Sequence, residues 1–436
     1  MKRALLLLLL LATPAFAQQL DSMIDQELPS LVATYKHLHM APELSQHEEK
    51  SAALVAARLR ELGYSVTERV GKYDEPDLIS YGVVAVLKNG NGPTVYVRTD
   101  MDALPVVEQT GLAYASTVKT KNATGEEVGV MHACGHDIHM TTFLGAAKML
   151  AATKSHWHGT LVLIGQPAEE VVKGAAAMLK DGLYERFGHP DYVIAFHDSA
   201  SLATGTIGYT PGFFAASADS VNVTIRGIGG HGASPQSTKD PIVLASQFIL
   251  ALQTIVSRED SPLDPAVVTV GSIHGGTKRN IIPDEVKLLM TVRTYKPEVR
   301  QRVLASIERI AKNLALAAGI PENLAPSVEV LQGESCGSTY NDPALTERLA
   351  AALKTALGEK NVVKTDPLMV SEDFSLYRLD GKIPTAMLQL GAIPPAKIAS
   401  GERLPSLHSS KFCPDPEPTL RTGVKGMTMM VWELMK

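Results

Sequence analysis

The chain has 436 residues, 45% of them hydrophobic and 20% charged, with 41 basic residues against 46 acidic. That balance supports two or three domains with real apolar cores. It excludes fibrous, disordered and nucleic-acid-coating proteins, since no low-complexity tract, short repeat or basic footprint is present.

The first residues read as a cleavable leader. Lys2 and Arg3 form a positive start, an apolar run follows from Ala4, and Ala15-Phe16-Ala17 supplies a small-x-small cleavage pattern. The run is too short to span a bilayer core of about 30 Å, and no cysteine follows it to carry a lipid anchor. Cleavage after Ala17 and a periplasmic or secreted mature protein are expected, with residues 1–17 as signal peptide and no membrane anchor.

Three cysteines cannot all pair with one another, and their spacing is far from a disulfide scaffold. Cys336 and Cys413 are free to form one bridge. Cys134 sits in Met131-His132-Ala133-Cys134-Gly135-His136-Asp137, a context suited to a metal that would hold its thiolate deprotonated.

Helices are expected at Ser22–Met40 and at about Gln46–Leu62, where Leu54, Val55, Leu59 and Leu62 form one stripe. Strands then alternate with helices: Val83–Leu87, Thr94–Arg98, a helix His139–Ala152, Thr160–Gly165, a helix Gly174–Leu179, and Tyr192–Phe196. Such buried β-rich runs between helices predict an α/β sheet covered on both faces. Near Pro211 the rhythm changes to strand Val221–Arg226, helix Pro241–Val256, strands Val267–Ile273 and Val286–Arg293, helix Pro297–Ala318 and strand Val328–Leu331. That β-α-β-β-α-β order is ferredoxin-like. The fold class is therefore a two-domain α/β protein, a catalytic domain with a central mixed sheet (18–212 and 333–436) carrying an inserted ferredoxin-like domain (213–332).

Four clusters can carry chemistry. Asp100 and Asp102 follow an apolar strand and, two apart, can share a face; the bland alternative is a solvated acidic turn. Cys134 and His136 put thiolate and imidazole side by side before a helix, a pairing suited to zinc or a related metal, while His132 and His139 read as helix-start histidines that need not be ligands. Glu169 and Glu170 end another strand; in an extended segment they point to opposite sides, one toward a metal and one toward a water. His197, closing its strand, and His408 are single histidines placed where such a site still lacks ligands.

Taken together these segments resemble the M20 metallopeptidases, in particular the amidohydrolase branch of N-acyl-amino-acid amidohydrolases, hippurate hydrolases and auxin-conjugate hydrolases. The resemblance rests on His39-Met40-Ala41-Pro42-Glu43-Leu44-Ser45, Arg98–Pro105, Met131–Asp137, Gln166–Glu170, Gly229–Pro235, Asn280-Ile281-Ile282-Pro283, Ser371-Glu372-Asp373-Phe374 and Leu407-His408-Ser409, in order across nearly the whole chain. It implies two divalent metal ions (zinc, manganese, cobalt or nickel) held by Cys134, His136, Glu170, His197 and His408, with Cys134 bridging. It also implies Glu169 as general base and Asp102 as the residue orienting a ligand. His231, in a lid formed by the inserted domain, would stabilise the oxyanion, and Asn280 and Arg293 would hold the substrate carboxylate. Asp100 stands where other branches have a metal-binding histidine.

Two stretches depart from the family pattern: Gly232 and Gln236 around the lid histidine, and Asp198-Ser199-Ala200 after His197. Both bear on specificity. The expected activity is hydrolysis of the amide bond of N-acyl amino acids or short peptides. The alternatives are a carboxypeptidase for larger peptides and a catalytically silent metal- or peptide-binding protein. Phosphoesterase chemistry lacks a phosphate cradle. The expected partners are a small-molecule or short-peptide substrate and no nucleic acid, and the sheet of the inserted domain has an edge through which two copies can pair into a homodimer or higher homo-oligomer.

Overall fold

The computed structural model describes residues 2–122 and 124–436, with side chains from Gln18 onward. Of the expected leader, residues 1–17, only the backbone from Lys2 is described, within helix Lys2–Met40. The chain divides into two compact units, one of residues 1–212, 340–366 and 376–436, the other of residues 213–339 and 367–375.

The first unit is built on an eight-stranded mixed sheet. Its strand order is Ser65–Glu68, Val83–Asn89, Gly159–Gln166, Thr94–Asp100, Tyr192–Ala203, Thr385–Ile393, Ile207–Tyr209, Val362–Lys364. The four central strands, Gly159–Gln166 through Thr385–Ile393, run parallel; three are buried almost throughout and Tyr192–Ala203 is buried mainly in its first half, as strands covered on both faces are. Register aligns their C-terminal ends: Asp100 pairs with Gln166, and His197 with Gln389. Open α/β sheets place their chemistry at that edge.

Helix Lys2–Met40 contributes Leu20, Ile24, Leu28, Leu31, Tyr35 and Leu38 to the core, a stripe at three- and four-residue spacing. It packs against helices His136–Ala152 and Pro416–Met435. At that crossing Gly145 lets the helices approach, since a Cβ there would lie 2.5 Å from Val424 Cγ2 and 3.0 Å from Leu31 Cδ1.

The second unit has the expected β-α-β-β-α-β order. Its antiparallel sheet runs Ala266–His274, Glu285–Thr294, Asp219–Arg226, Ser327–Val330, with helices Pro241–Thr254 and Pro297–Ala317 supplying the rest of a separate core around Phe248, Leu252, Val303 and Ile307. Strand Asp219–Arg226 alternates buried and half-buried residues along its whole length, the period-2 pattern of a sheet with one covered face.

Three local expectations change. Strand Tyr192–Ala203 continues well past Phe196, because Thr385–Ile393 keeps pairing with it, so His197 lies within the strand. The helix after Cys134 begins at His136 and not at His139, entered through Gly135 at φ +76°, a conformation that glycine adopts without a Cβ penalty. Glu169 and Glu170 are not extended. Their strand ends at Gln166, and they lie in a turn with Ala168 at φ +52° and Val172 at φ +58°. All three cysteines are free thiols, so Cys336 and Cys413 are not bridged.

Candidate metal centre

The first unit brings Asp100, Asp102, Cys134, His136, Glu169, Glu170, His197 and His408 together. Cys134 Sγ lies 3.5 Å from His197 Nε2 and 3.3 Å from His408 Nε2. His136 Nε2 lies 3.8 Å from Glu170 Oε1 and 3.9 Å from Glu169 Oε2, and His408 Nε2 lies 3.5 Å from Glu170 Oε2. The two glutamates therefore face the same histidine and not opposite sides. Among the described residues, two groups of converging donor atoms are Cys134–His136–His197 and Cys134–Glu170–His408, each within 4.8 Å. They have Cys134 in common.

These residues fit a cation pair. His136 Nδ1 donates to the Asp102 carbonyl oxygen at 2.8 Å, leaving Nε2, which faces carboxylates, as the ring nitrogen a metal would take in place of a proton. His136 Nε2 and Glu170 Oε1 are both buried and have no hydrogen-bond partner. Buried polar atoms without partners are costly in a protein interior, and a cation would satisfy both. The donor set of thiolate, imidazole and carboxylate suits zinc and neighbouring divalent metals.

The electrostatics agree. Burial pushes the Cys134 thiol well up, with Glu170, Glu169 and Asp198 adding to it. Burial also pushes Glu170 up, against the pull of His136. For His136 burial acts downward, but Asp100, Asp102 and Glu170 outweigh it and hold the imidazole well above its usual range. Proton affinity thus concentrates where several anionic donors meet, and a bound cation would compete with those protons.

Asp100 and Asp102 flank the His136 ring from its two ends. Asp102 Oδ1 is 3.4 Å from Nδ1 and Asp100 Oδ2 is 3.6 Å from Nε2. Asp100 is already engaged, however. It accepts from Arg98 and from His139, both at 2.6 Å. His139 in turn accepts the Asp198 backbone N–H at 2.8 Å, and its ring meets that of His197 edge-on with centroids 4.7 Å apart. Asp198, one of the departures from the family pattern, is buried behind the histidines. His132 is buried as well, and burial pulls it down to about 4.

Several neighbours were not among the candidate site residues, although His39 and Ser45 lie in a stretch that carries the family resemblance. Ser45 donates to Asp102 Oδ2 at 2.6 Å, and the buried Glu48 accepts the Ala168 N–H at 2.7 Å. His39 bridges Asp137 at 2.7 Å and Glu108 at 3.1 Å, all with side chains almost fully buried. A histidine held between two carboxylates across three distant segments is invisible to local spacing.

The second unit holds His231, Asn280 and Arg293. His231 pairs with Ile281 across a short two-stranded ladder, and Gly232 N–H donates to the Asn280 carbonyl at 2.9 Å, so these two are neighbours. His231 Nδ1 accepts from Ala233 N–H at 3.1 Å, which places its proton on Nε2. Arg293 lies on strand Glu285–Thr294 and donates to the Ser371 hydroxyl.

Comparison with known proteins gives a consistent result. The description of the peptidase family M20/M25/M40 matches residues 96–432. The chain is 40% identical over 342 residues to a hippurate hydrolase of Campylobacter jejuni, covering 78% of this chain and 82% of that protein. It is 38% identical over 352 residues to an N-acetyl-L-cysteine deacetylase of Bacillus subtilis, covering 80% and 77%. A crystal structure of a dinuclear-metal-binding M20 peptidase from Bacillus subtilis superposes with a TM-score of 0.74 at 28% identity, covering 94% of this chain and all of that one. A two-unit α/β fold, a cluster of metal donors at the sheet edge and a family match along most of its length make this chain a member of the M20 family of hydrolases acting on amide and peptide bonds.

Proposed function

We propose that the protein is an exported metal-dependent amidohydrolase that cleaves the amide bond of N-acyl amino acids or short peptides. The observation that carries this reading is the pair of donor groups with Cys134 in common, with Glu169 beside them. Cys134, His136, Glu170, His197 and His408 would hold two divalent cations. Such ions polarise a carbonyl and lower the pKa of water.

The chain's own residues supply the rest. Glu169, beside His136 and outside the groups Cys134–His136–His197 and Cys134–Glu170–His408, takes a proton from the attacking water and passes it to the leaving amine nitrogen. Asp102 holds His136 in place from the Nδ1 side. His231, with its proton on Nε2, donates to the developing oxyanion. Asn280 and Arg293 hold the substrate carboxylate. Hippurate and N-acetyl-L-cysteine, named for the two relatives, are both N-acyl amino acids, which favours small acylated substrates over large peptides.

The test is amine release from a panel of N-acyl amino acids, dipeptides and longer peptides by metal-replete protein beside a chelated control. Chelator-sensitive release from the acylated amino acids supports the reading. Release confined to the C-terminal residue of longer peptides favours a carboxypeptidase, and no release with two metals bound favours a silent binding protein.

Export is proposed with cleavage after Ala17, to be checked by the N-terminal sequence of the mature protein. A homodimer through the edge strand Ala266–His274 is also proposed, supported by the exposed Ile242, Val243 and Leu250 on the adjacent helix, and light scattering tests it.

A further inference from the structure

The segment Glu43–Glu48 begins in the stretch His39–Ser45 that carries part of the family resemblance and runs on beyond it, yet none of its residues is a candidate metal ligand or acid–base group. Its contacts explain its presence. Glu43 accepts the Lys50 N–H at 2.9 Å and the Ser51 N–H at 2.8 Å, capping helix Glu49–Glu61, while its carbonyl accepts the Ala103 N–H at 2.8 Å. The segment is thereby fixed to the helix on one side and to the loop after strand Thr94–Asp100 on the other.

From that fixed base two side chains reach the metal centre. Ser45 donates its hydroxyl to Asp102 Oδ2 at 2.6 Å. The same Oδ2 accepts the Glu170 N–H at 2.9 Å. Glu48, fully buried, reaches 120 residues along the chain to accept the Ala168 N–H at 2.7 Å. The same oxygen accepts the Gln46 N–H at 2.8 Å.

Ala168 needs this partner. It is fully buried at φ +52°, a left-handed conformation that crowds the Cβ of a non-glycine residue against its own backbone. Its carbonyl is taken by the N–H groups of Lys173 and Gly174 at 3.1 and 3.0 Å, so Glu48 supplies what its own N–H requires. Without that carboxylate the N–H is buried and orphaned, and the left-handed turn loses what holds it. Glu169 and Glu170 are the next two residues, so any relaxation of the turn moves both carboxylates.

We propose that Glu48 and Ser45 are positioning residues of the metal centre, a two-point brace that sets the Glu169–Glu170 turn through the Ala168 N–H and through Asp102. The inference rests on the metal-centre reading above, but not on the identity of the substrate. The brace fixes the turn at both of its ends, before Glu169 and at the Glu170 amide.

The experiment compares full-length Glu48→Ala, Glu48→Gln and Ser45→Ala with the parent chain. Four readouts are taken: Zn²⁺ affinity by competition with a chromophoric chelator, the visible spectrum of the Co²⁺-loaded protein, kcat and KM on an N-acyl amino acid, and the melting temperature of the metal-free protein. For Glu48→Ala the expected result is a fall of about 10–100-fold in Zn²⁺ affinity or in kcat, with KM changed by less than about threefold, and an altered Co²⁺ spectrum. Glu48→Gln keeps an acceptor for the Ala168 N–H and is expected to restore most of the loss. Ser45→Ala, which leaves Asp102 its bond to the Glu170 N–H, is expected to weaken Zn²⁺ binding with the metal-free melting temperature little changed.

Unchanged Zn²⁺ affinity, Co²⁺ spectrum and kcat in folded Glu48→Ala would overturn the proposal. So would a Glu48→Gln variant as impaired as Glu48→Ala. Should Glu48→Ala fail to fold, Glu48→Gln and Ser45→Ala carry the test. The Zn²⁺ and Co²⁺ readouts need no substrate, so a wrong activity assignment cannot be mistaken for a failed brace.

Discussion

His136 Nε2 and Glu170 Oε1 face each other at 3.8 Å, both buried and neither with a hydrogen-bond partner. The protein has already assigned the other ring nitrogen of His136 to the Asp102 carbonyl. Two acceptor atoms left facing each other in a dry interior repel unless something positive lies between them, whether a proton or a metal ion. The remaining groups around them, Cys134, His197 and His408, are ligand types that suit zinc and neighbouring divalent metals.

Replacing Glu169 by Gln separates binding from chemistry. The amide keeps the shape but cannot take a proton. Turnover is expected to fall by about 10²–10⁴-fold, the range for loss of a general base, while metal content and melting temperature stay at parent values. Steady-state kinetics beside metal analysis check this, and unchanged turnover would remove Glu169 from the mechanism.

Cys134 is the point at which the two donor groups meet. Cys134→Ser is therefore expected to weaken both metal positions together and to abolish the rise in melting temperature that metal gives the parent chain, through the linkage between binding and stability. Calorimetry with and without Zn²⁺ measures it. A variant that retains full metal content and the full thermal shift would contradict the assignment.

The His39 cluster predicts a pH dependence of stability in the metal-free protein. Burial pulls His39 down, but Asp137 and Glu108 outweigh it and raise the imidazole to about 10 from an ordinary 6.5. A raised histidine stabilises the fold fully below about 6.5, and that contribution is lost as pH climbs toward about 10. Glu108 is shifted the other way: burial raises it, but His39 and Thr110 hold it below the usual carboxylate range, so its contribution is lost on acidification. Urea melts from pH 6 to 10 are expected to show declining stability in the parent and a flatter alkaline limb in His39→Gln. Identical limbs would contradict it.

Gly145→Ala tests the helix crossing with two effects of opposite sign. Alanine gains about 1 kcal/mol in helix propensity over glycine. Against this, its Cβ would sit 2.5 Å from Val424 Cγ2, and overpacking of that kind costs about 1–3 kcal/mol. Net destabilisation is expected, seen as a lower chemical-denaturation midpoint, with Val424→Ala in the same chain restoring part of it.

Much of this was legible in the residues themselves. Strand Glu285–Thr294 alternates exposed and buried positions cleanly, and such periodicity exposes a ferredoxin-like unit without any tertiary knowledge. The donor types at Cys134, His136 and Glu170 were likewise readable, because thiolate, imidazole and carboxylate in short reach have few other uses. The turn at Ala168 was not, since a non-glycine residue at positive φ gives no local sign and depends here on Glu48, 120 residues away. For that reason local spacing predicts that Glu169 and Glu170 point apart, whereas they face one histidine. The end of the strand that carries His197 is unreadable for a related reason: it is prolonged by pairing with Thr385–Ile393, far along the chain.

The most direct test of the account is a metal titration of the metal-free protein, following amine release from an N-acyl amino acid as Zn²⁺ or Mn²⁺ is added. The account predicts no release before addition and full activity at about two ions per chain, as paired-metal hydrolysis requires. Full activity in the presence of excess chelator, with no metal bound, would contradict it.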